Sequence, residues 1–127
     1  MTARQRRQTD ARRRHESAGR RAEWIAAAYL ALKGYRILHR RFRAPTGEVD
    51  IIAKRGGVLA MIEVKKRARI EDAIAAVPYR GRRRIERAAD AFVARHPGLA
   101  ECALRYDIVA IAPWRVRHLR AAWLFGE

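Results

Sequence analysis

Asp50, Glu63 and Lys65 have the types and spacing that phosphodiester chemistry needs, the last two within the triplet Glu63-Val64-Lys65. Residues 48–53 and 58–65 read as strands joined through Gly56-Gly57, a hairpin signature. With the two glycines at the centre of a two-residue turn, Arg55 pairs with Val58. Counting back along that ladder sets Asp50 opposite Glu63 and Glu48 opposite Lys65, and alternation points all four side chains to one side of the sheet. Opposed Cβ atoms lie roughly 5 Å apart, where two carboxylates repel by about 3 kcal/mol at an effective dielectric near 20. A divalent cation offsets that repulsion. Mg²⁺, with Mn²⁺ able to replace it, prefers carboxylate oxygens and bridges to the phosphate oxygens of a substrate. Lys65, one pleat from Glu63, is then placed to orient or deprotonate an attacking water, or to neutralise charge building on the phosphorane. The competing reading is a solvated face on which Glu48, Lys65 and neighbouring arginines cancel the acids.

The elements around this hairpin must hold it. A helix is predicted over residues 17–33, with Ser17 as cap and Gly34 in the left-handed terminating position. Glu23 shares a face with Ala27 and Leu30, an unusual place for a carboxylate. It either reaches the rim and pairs with Arg20 or the helix N-terminus, or serves something inside. Residues 35–42 suit a strand, 44–47 a loop, and 67–77 are partly helical, ending at Pro78. A second long helix over 81–95 carries Ile85, Ala88, Ala89, Phe92 and Val93 at helical spacing and stops at Pro97-Gly98. Residues 104–112 form a strong strand, and 116–124 fit a short helix or a terminal strand equally.

At 127 residues the chain has room for one core. Its 29 Lys and Arg against 13 acids give a formal charge of +16, which concentrates polyanions at the surface. Residues 1–16 account for +4 of this and have no hydrophobic period, so they read as a disordered basic arm; the remaining +12 belongs to a single domain over 17–127. The apolar run after Glu23 is too short to span a bilayer and lacks the flanks of a secretory signal. Neither a basic amphipathic helix nor a lipidation motif points to a membrane. Cys102 is the sole cysteine, consistent with a reducing, cytoplasmic setting. The four histidines lack metal-ligand spacing, and Asp107 reads as a structural partner of the Arg105 neighbourhood.

Taken in order, Glu23, Tyr29-Leu30, Gly34-Tyr35-x-Ile37-Leu38, Gly47-Glu48-x-Asp50, Glu63-Val64-Lys65 with Arg67, the arginine-rich second helix and Arg105-Tyr106-Asp107-Ile108-Val109 resemble the YraN family of small predicted bacterial endonucleases. The acid followed by Glu-x-Lys is similar to the signature of the restriction-endonuclease-like superfamily. The resemblance implies an α/β, three-layer core with a central mixed sheet between helices. It also implies Mg²⁺ on Asp50 and Glu63 with help from the Val64 carbonyl, Lys65 as catalytic amine, and Glu23 as an acid near the metal. Relatives often carry Lys or Gln where Gly81 stands here, so that polar role is lost or passes to Arg80 or Arg82.

Nucleic-acid contacts are expected from Arg20, Arg67, Arg80, Arg82, Arg83 and Arg84, gripping the backbone of a duplex or junction rather than stacking on single strands. The resulting expectation is a Mg²⁺-dependent, backbone- or structure-selective endonuclease acting on DNA in preference to RNA. Its rival is a non-catalytic nucleic-acid or ribosome-associated binding protein. The oligomeric state is left open.

Overall fold

The computed structural model describes the backbone of residues 2–77 and 79–127, and their side chains except those of 10–18, 79 and 80. The first helix, α1 (Ala3–Leu32), begins at a capping box: Thr2 Oγ1 accepts from the Gln5 amide at 3.1 Å, and Gln5 Oε1 accepts from the Thr2 amide at 2.7 Å. The helix therefore starts near Ala3, not Ser17, and its backbone continues through the segment expected as an arm. No Pro interrupts residues 3–32, and the Ser17 side chain lies outside the described residues. At its far end the Gly34 amide bonds the Ala31 carbonyl and the Tyr35 amide bonds the Leu30 carbonyl, both at 3.0 Å, with Gly34 at φ +92°. This is a Schellman motif, the stop expected at Gly34.

Strands β1 (Arg36–Ala44), β2 (Gly47–Arg55) and β3 (Val58–Lys66) form an antiparallel meander. Helices α2 (Ile70–Ala75) and α3 (Tyr79–Arg95) then cross to β4 (Ala103–Ala112), which pairs parallel to β3. A two-residue turn, Pro113-Trp114, returns the chain as β5 (Arg115–Trp123), so the segment over 116–124 is a strand. The sheet order is β1-β2-β3-β4-β5.

One face of the sheet packs Ile51, Ala60, Ile62 and Val109 beneath Ala22, Ala26 and Leu30 of α1. The other packs Ile52, Leu59, Met61 and Ile108 against Ile70 and Ala73 of α2 and Ile85, Ala88 and Phe92 of α3. Helix, mixed sheet and helix make a three-layer α/β fold. The central strands β3 and β4 are covered on both sides, which is why Leu59–Ile62 and Ile108–Ala112 read as unbroken apolar runs instead of alternating ones. Among the described residues no helix is long and apolar enough to cross a membrane.

Gly47 is where α3 meets the sheet most closely. A Cβ there would sit 1.9 Å from the Arg84 carbonyl oxygen and 3.1 Å from the Ala88 nitrogen, so only glycine lets the helix backbone approach. That approach puts Arg84 beside Glu48.

Candidate functional site

The Gly56-Gly57 turn, with positive φ at Gly56 alone as in a type II′ turn, fixes the β2–β3 register at Arg55↔Val58 and carries it to Ile51↔Ile62. There the ladder ends. Val49 and Ile51, two residues apart, face opposite clusters, so strict alternation fails at Asp50. On the neighbouring strand Arg40 pairs Ile51 and Phe42 pairs Val49, and Arg41 between them adopts φ +56°. Freed from the ladder, the Asp50 carboxylate replaces a backbone partner and accepts the Val64 amide at 2.8 Å.

Asp50 and Glu63 come within hydrogen-bonding reach of one another, and Lys65 Nζ lies 3.5 Å from Glu63 Oε1. Glu23 approaches from α1, buried, close enough for its charge to act on Asp50, and its carboxylate takes Arg41 Nε at 2.7 Å. The partner of Glu23 is therefore Arg41, not Arg20 or the helix N-terminus. Together Glu23, Asp50, Glu63 and Lys65 line an open cleft of about 390 Å³, with Gly19, Glu48, Lys66 and Arg67 among its other walls.

Glu48 is not opposite Lys65. Beyond the break it pairs with Arg43 across β1 and forms ion pairs with Arg43 at 3.8 Å and Arg84 at 3.5 Å.

Burial, and after it the charge of Asp50, pushes the Glu63 carboxyl up to about 8, with Lys65 opposing. Burial also raises Asp50, against the Val64 amide that favours its charged form. Two acids held this way keep a proton between them unless a cation replaces it. Among the described residues no group of three or more His, Cys, Asp or Glu side chains forms a ready metal cage. The donor set is thus a carboxyl pair, which suits a cation that retains several waters, as Mg²⁺ does, and not a fully protein-coordinated one.

The expected phosphate contacts divide. Arg67 lines the cleft, and Arg20 is exposed on α1 one residue from Gly19. Arg84 is half exposed beside Glu48. Arg83 is drawn inward, bonding the buried Glu86 at 2.5 Å and the Glu127 carbonyl. Arg82 lies over the Trp123 ring at 5.3 Å, engaged with β5 and not among the described lining residues. The Arg80 side chain lies outside the described residues.

Sequence reasoning missed Lys66, which lines the cleft, and Arg41, whose left-handed backbone leaves no mark in the sequence. Away from the cleft, buried Asp107 accepts both arms of Arg105 at 2.9 and 2.8 Å, His118 Nε2 at 2.7 Å and the Ala121 amide at 3.0 Å. Burial opposes its charge, but these bonds hold its carboxyl below the ordinary range; they tie β5 to β4.

Residues 22–111 match the model of Uncharacterised protein family UPF0102, a span that takes in Glu23, Asp50, Glu63 and Lys65. A UPF0102 protein of Rhodopseudomonas palustris is 54% identical over 106 residues, covering 83% of this chain and 82% of its own. One from Maricaulis maris is 47% identical over 120 residues, 94% of each chain, and one from Chelativorans is 49% identical over 104 residues, 82% of this chain and 84% of its own. A match across most of the fold, at half identity along nearly the full length of its relatives, makes the chain a member of the UPF0102 family, the YraN proteins.

Proposed function

We propose that the protein is a metal-dependent endonuclease that hydrolyses phosphodiester bonds in DNA. The observation that carries the reading is the convergence of the Asp50 and Glu63 carboxyls, with Lys65 Nζ 3.5 Å from Glu63, in one open cleft that Lys66 and Arg67 also line. Burial raises both carboxyls, with Lys65 opposing, so a bound cation would favour their charged forms. Asp50 and Glu63 would hold Mg²⁺ or Mn²⁺, and the bound ion would supply charge stabilisation at the scissile phosphate.

The chain's own groups do the rest. Asp50 is fixed by the Val64 amide and therefore aimed before substrate arrives. Once Glu63 is ionised and engaged elsewhere, Lys65 is released to orient the attacking water or to meet charge on the phosphorane oxygens. Glu23, locked by Arg41, sets the negative potential of the back wall. Arg67 and Lys66 offer donors to the flanking phosphates. The Lys65–Glu63 pair also satisfies both groups without any metal, the arrangement a pure nucleic-acid-binding protein would keep.

Cleavage assays on duplexes, flaps, junctions and RNA, with and without Mg²⁺, decide between these. Asp50→Asn and Lys65→Ala should each lower turnover by at least about 100-fold, with metal-free DNA affinity retained. Equal trace nicking by wild type and both variants would leave the binding protein as the better reading.

A further inference from the structure

The Pro113-Trp114 turn that joins β4 to β5 is built unlike the Gly56-Gly57 turn. Pro at the first central position and positive φ (+63°) at the second is the pattern of a type II turn, whose second position calls for Gly or Asn. Trp114 stands there instead, with a relative exposure of 103%. By contrast, the exposed ring of Trp24 is covered by the Arg40 guanidinium at 3.8 Å. No described residue stacks on Trp114. A large indole has been placed in a backbone conformation that disfavours it, at a tip where the fold gains no packing from it.

That tip lies at the cleft end of the sheet. Across the parallel joint Lys65 pairs with Ala110 and Lys66 with Ile111, and the Arg67 amide bonds the Ile111 carbonyl at 3.0 Å. Only Ala112 and Pro113 separate Ile111 from Trp114, so the Trp114 Cα lies within roughly 10 Å of that pairing at about 3.3 Å per residue. Stacked nucleotides advance about 3.4 Å each, so a strand gripped at Lys66 and Arg67 spans the backbone distance to this turn in about three nucleotides. Lys66, Arg67 and Arg69 on one side and Arg115 on the other are all exposed. Helix α2, whose Glu71 carboxylate lies 3.6 Å from Arg69 Nε, packs against both β4 and β5, the strands this turn joins.

We infer that Trp114 is a stacking platform for an unpaired base, and that the protein prefers DNA in which a single strand meets a duplex close to the cleft. A paired base inside a duplex offers no face to an indole, whereas an unpaired one does, and flanking cations hold the backbone on either side. The inference rests on the nucleic-acid reading of the cleft and names its substrate class.

The test is binding, without metal, of labelled blunt duplex and of the same duplex with a short single-stranded flap, by wild type, Trp114→Gly and Trp114→Phe. Glycine suits the turn, so Trp114→Gly should melt no lower than wild type. Wild type should favour the flap by at least about 5-fold, the low end of base–aromatic stacking. Trp114→Gly should lose that preference with blunt-duplex affinity unchanged, and Trp114→Phe should retain most of it. Equal affinity of wild type for both DNAs, or an undiminished preference in Trp114→Gly, overturns the stacking role while leaving the nuclease reading to stand on its cleavage assay. Failure of wild type to bind either DNA overturns both.

Discussion

Glu63 sets the sign of the cleft's response to pH. Its folded pKa of about 8 lies above the ordinary 4.5, and Asp50 shifts the same way. A carboxyl raised by folding contributes stability that is fully present below the unfolded value and is lost as pH rises through the folded one. Metal-free protein should therefore lose stability between about pH 4.5 and 8. Glu63→Gln keeps a donor toward Asp50 and removes the charge, so it should melt at least about 4 °C above wild type at pH 8, with the gap closing at pH 5. Mg²⁺ should raise the wild-type melting temperature at pH 8 and leave Glu63→Gln nearly unmoved. Scanning calorimetry at the two pH values checks both. The meeting of Asp50 with Glu63 was legible because a two-residue turn fixes register over the few residues that follow it. Glu48 was misplaced because that count assumes an unbroken ladder, and the break comes at Asp50 itself, opposite an arginine in left-handed conformation.

Among the elements, α3 owes its seat to Gly47. Gly47→Ala would drive a methyl into the Arg84 carbonyl, which belongs to a helix backbone and cannot rotate aside. The helix must retreat, at about 1–3 kcal/mol for overpacking of this kind. Urea unfolding should show a lower midpoint at unchanged slope. The helices were legible because each buries one face at helical period, and the central strands because burial on both faces leaves unbroken apolar runs. Two boundaries were not. The Thr2-x-x-Gln5 capping signal stands in the sequence but is hidden among arginines, whose charge reads as a solvated arm while their helix propensity is high. The strand β5 lies at a sheet edge, where one-sided burial leaves the alternation too weak to tell strand from helix.

At the scale of the molecule, the charge of +16 is not spread evenly over functions. Arg83 and Arg105 neutralise buried Glu86 and Asp107, so these cations serve the fold and are withdrawn from any ligand. Exposed Lys66 and Arg67 at the cleft are free to displace counterions. Replacing both with alanine should weaken duplex binding and flatten the salt slope by about 1.8, at roughly 0.9 for each phosphate no longer neutralised. Titrations across a salt series measure it. The sheet also has an unequal joint. Its antiparallel pairings are local hairpins, closed through turns of two residues, but β3 and β4 meet in parallel only after the chain has travelled through α2 and α3. Closing so long a loop is the slow step of such a topology. Glu63, Val64 and Lys65 all lie on that joint, paired with Ile108, Val109 and Ala110. The hairpin brings Asp50 to Glu63 locally, but the strand that carries Glu63 and Lys65 gains its β4 neighbour only through that long crossover, so a newly made chain carries its positive charge before the cleft has its full support.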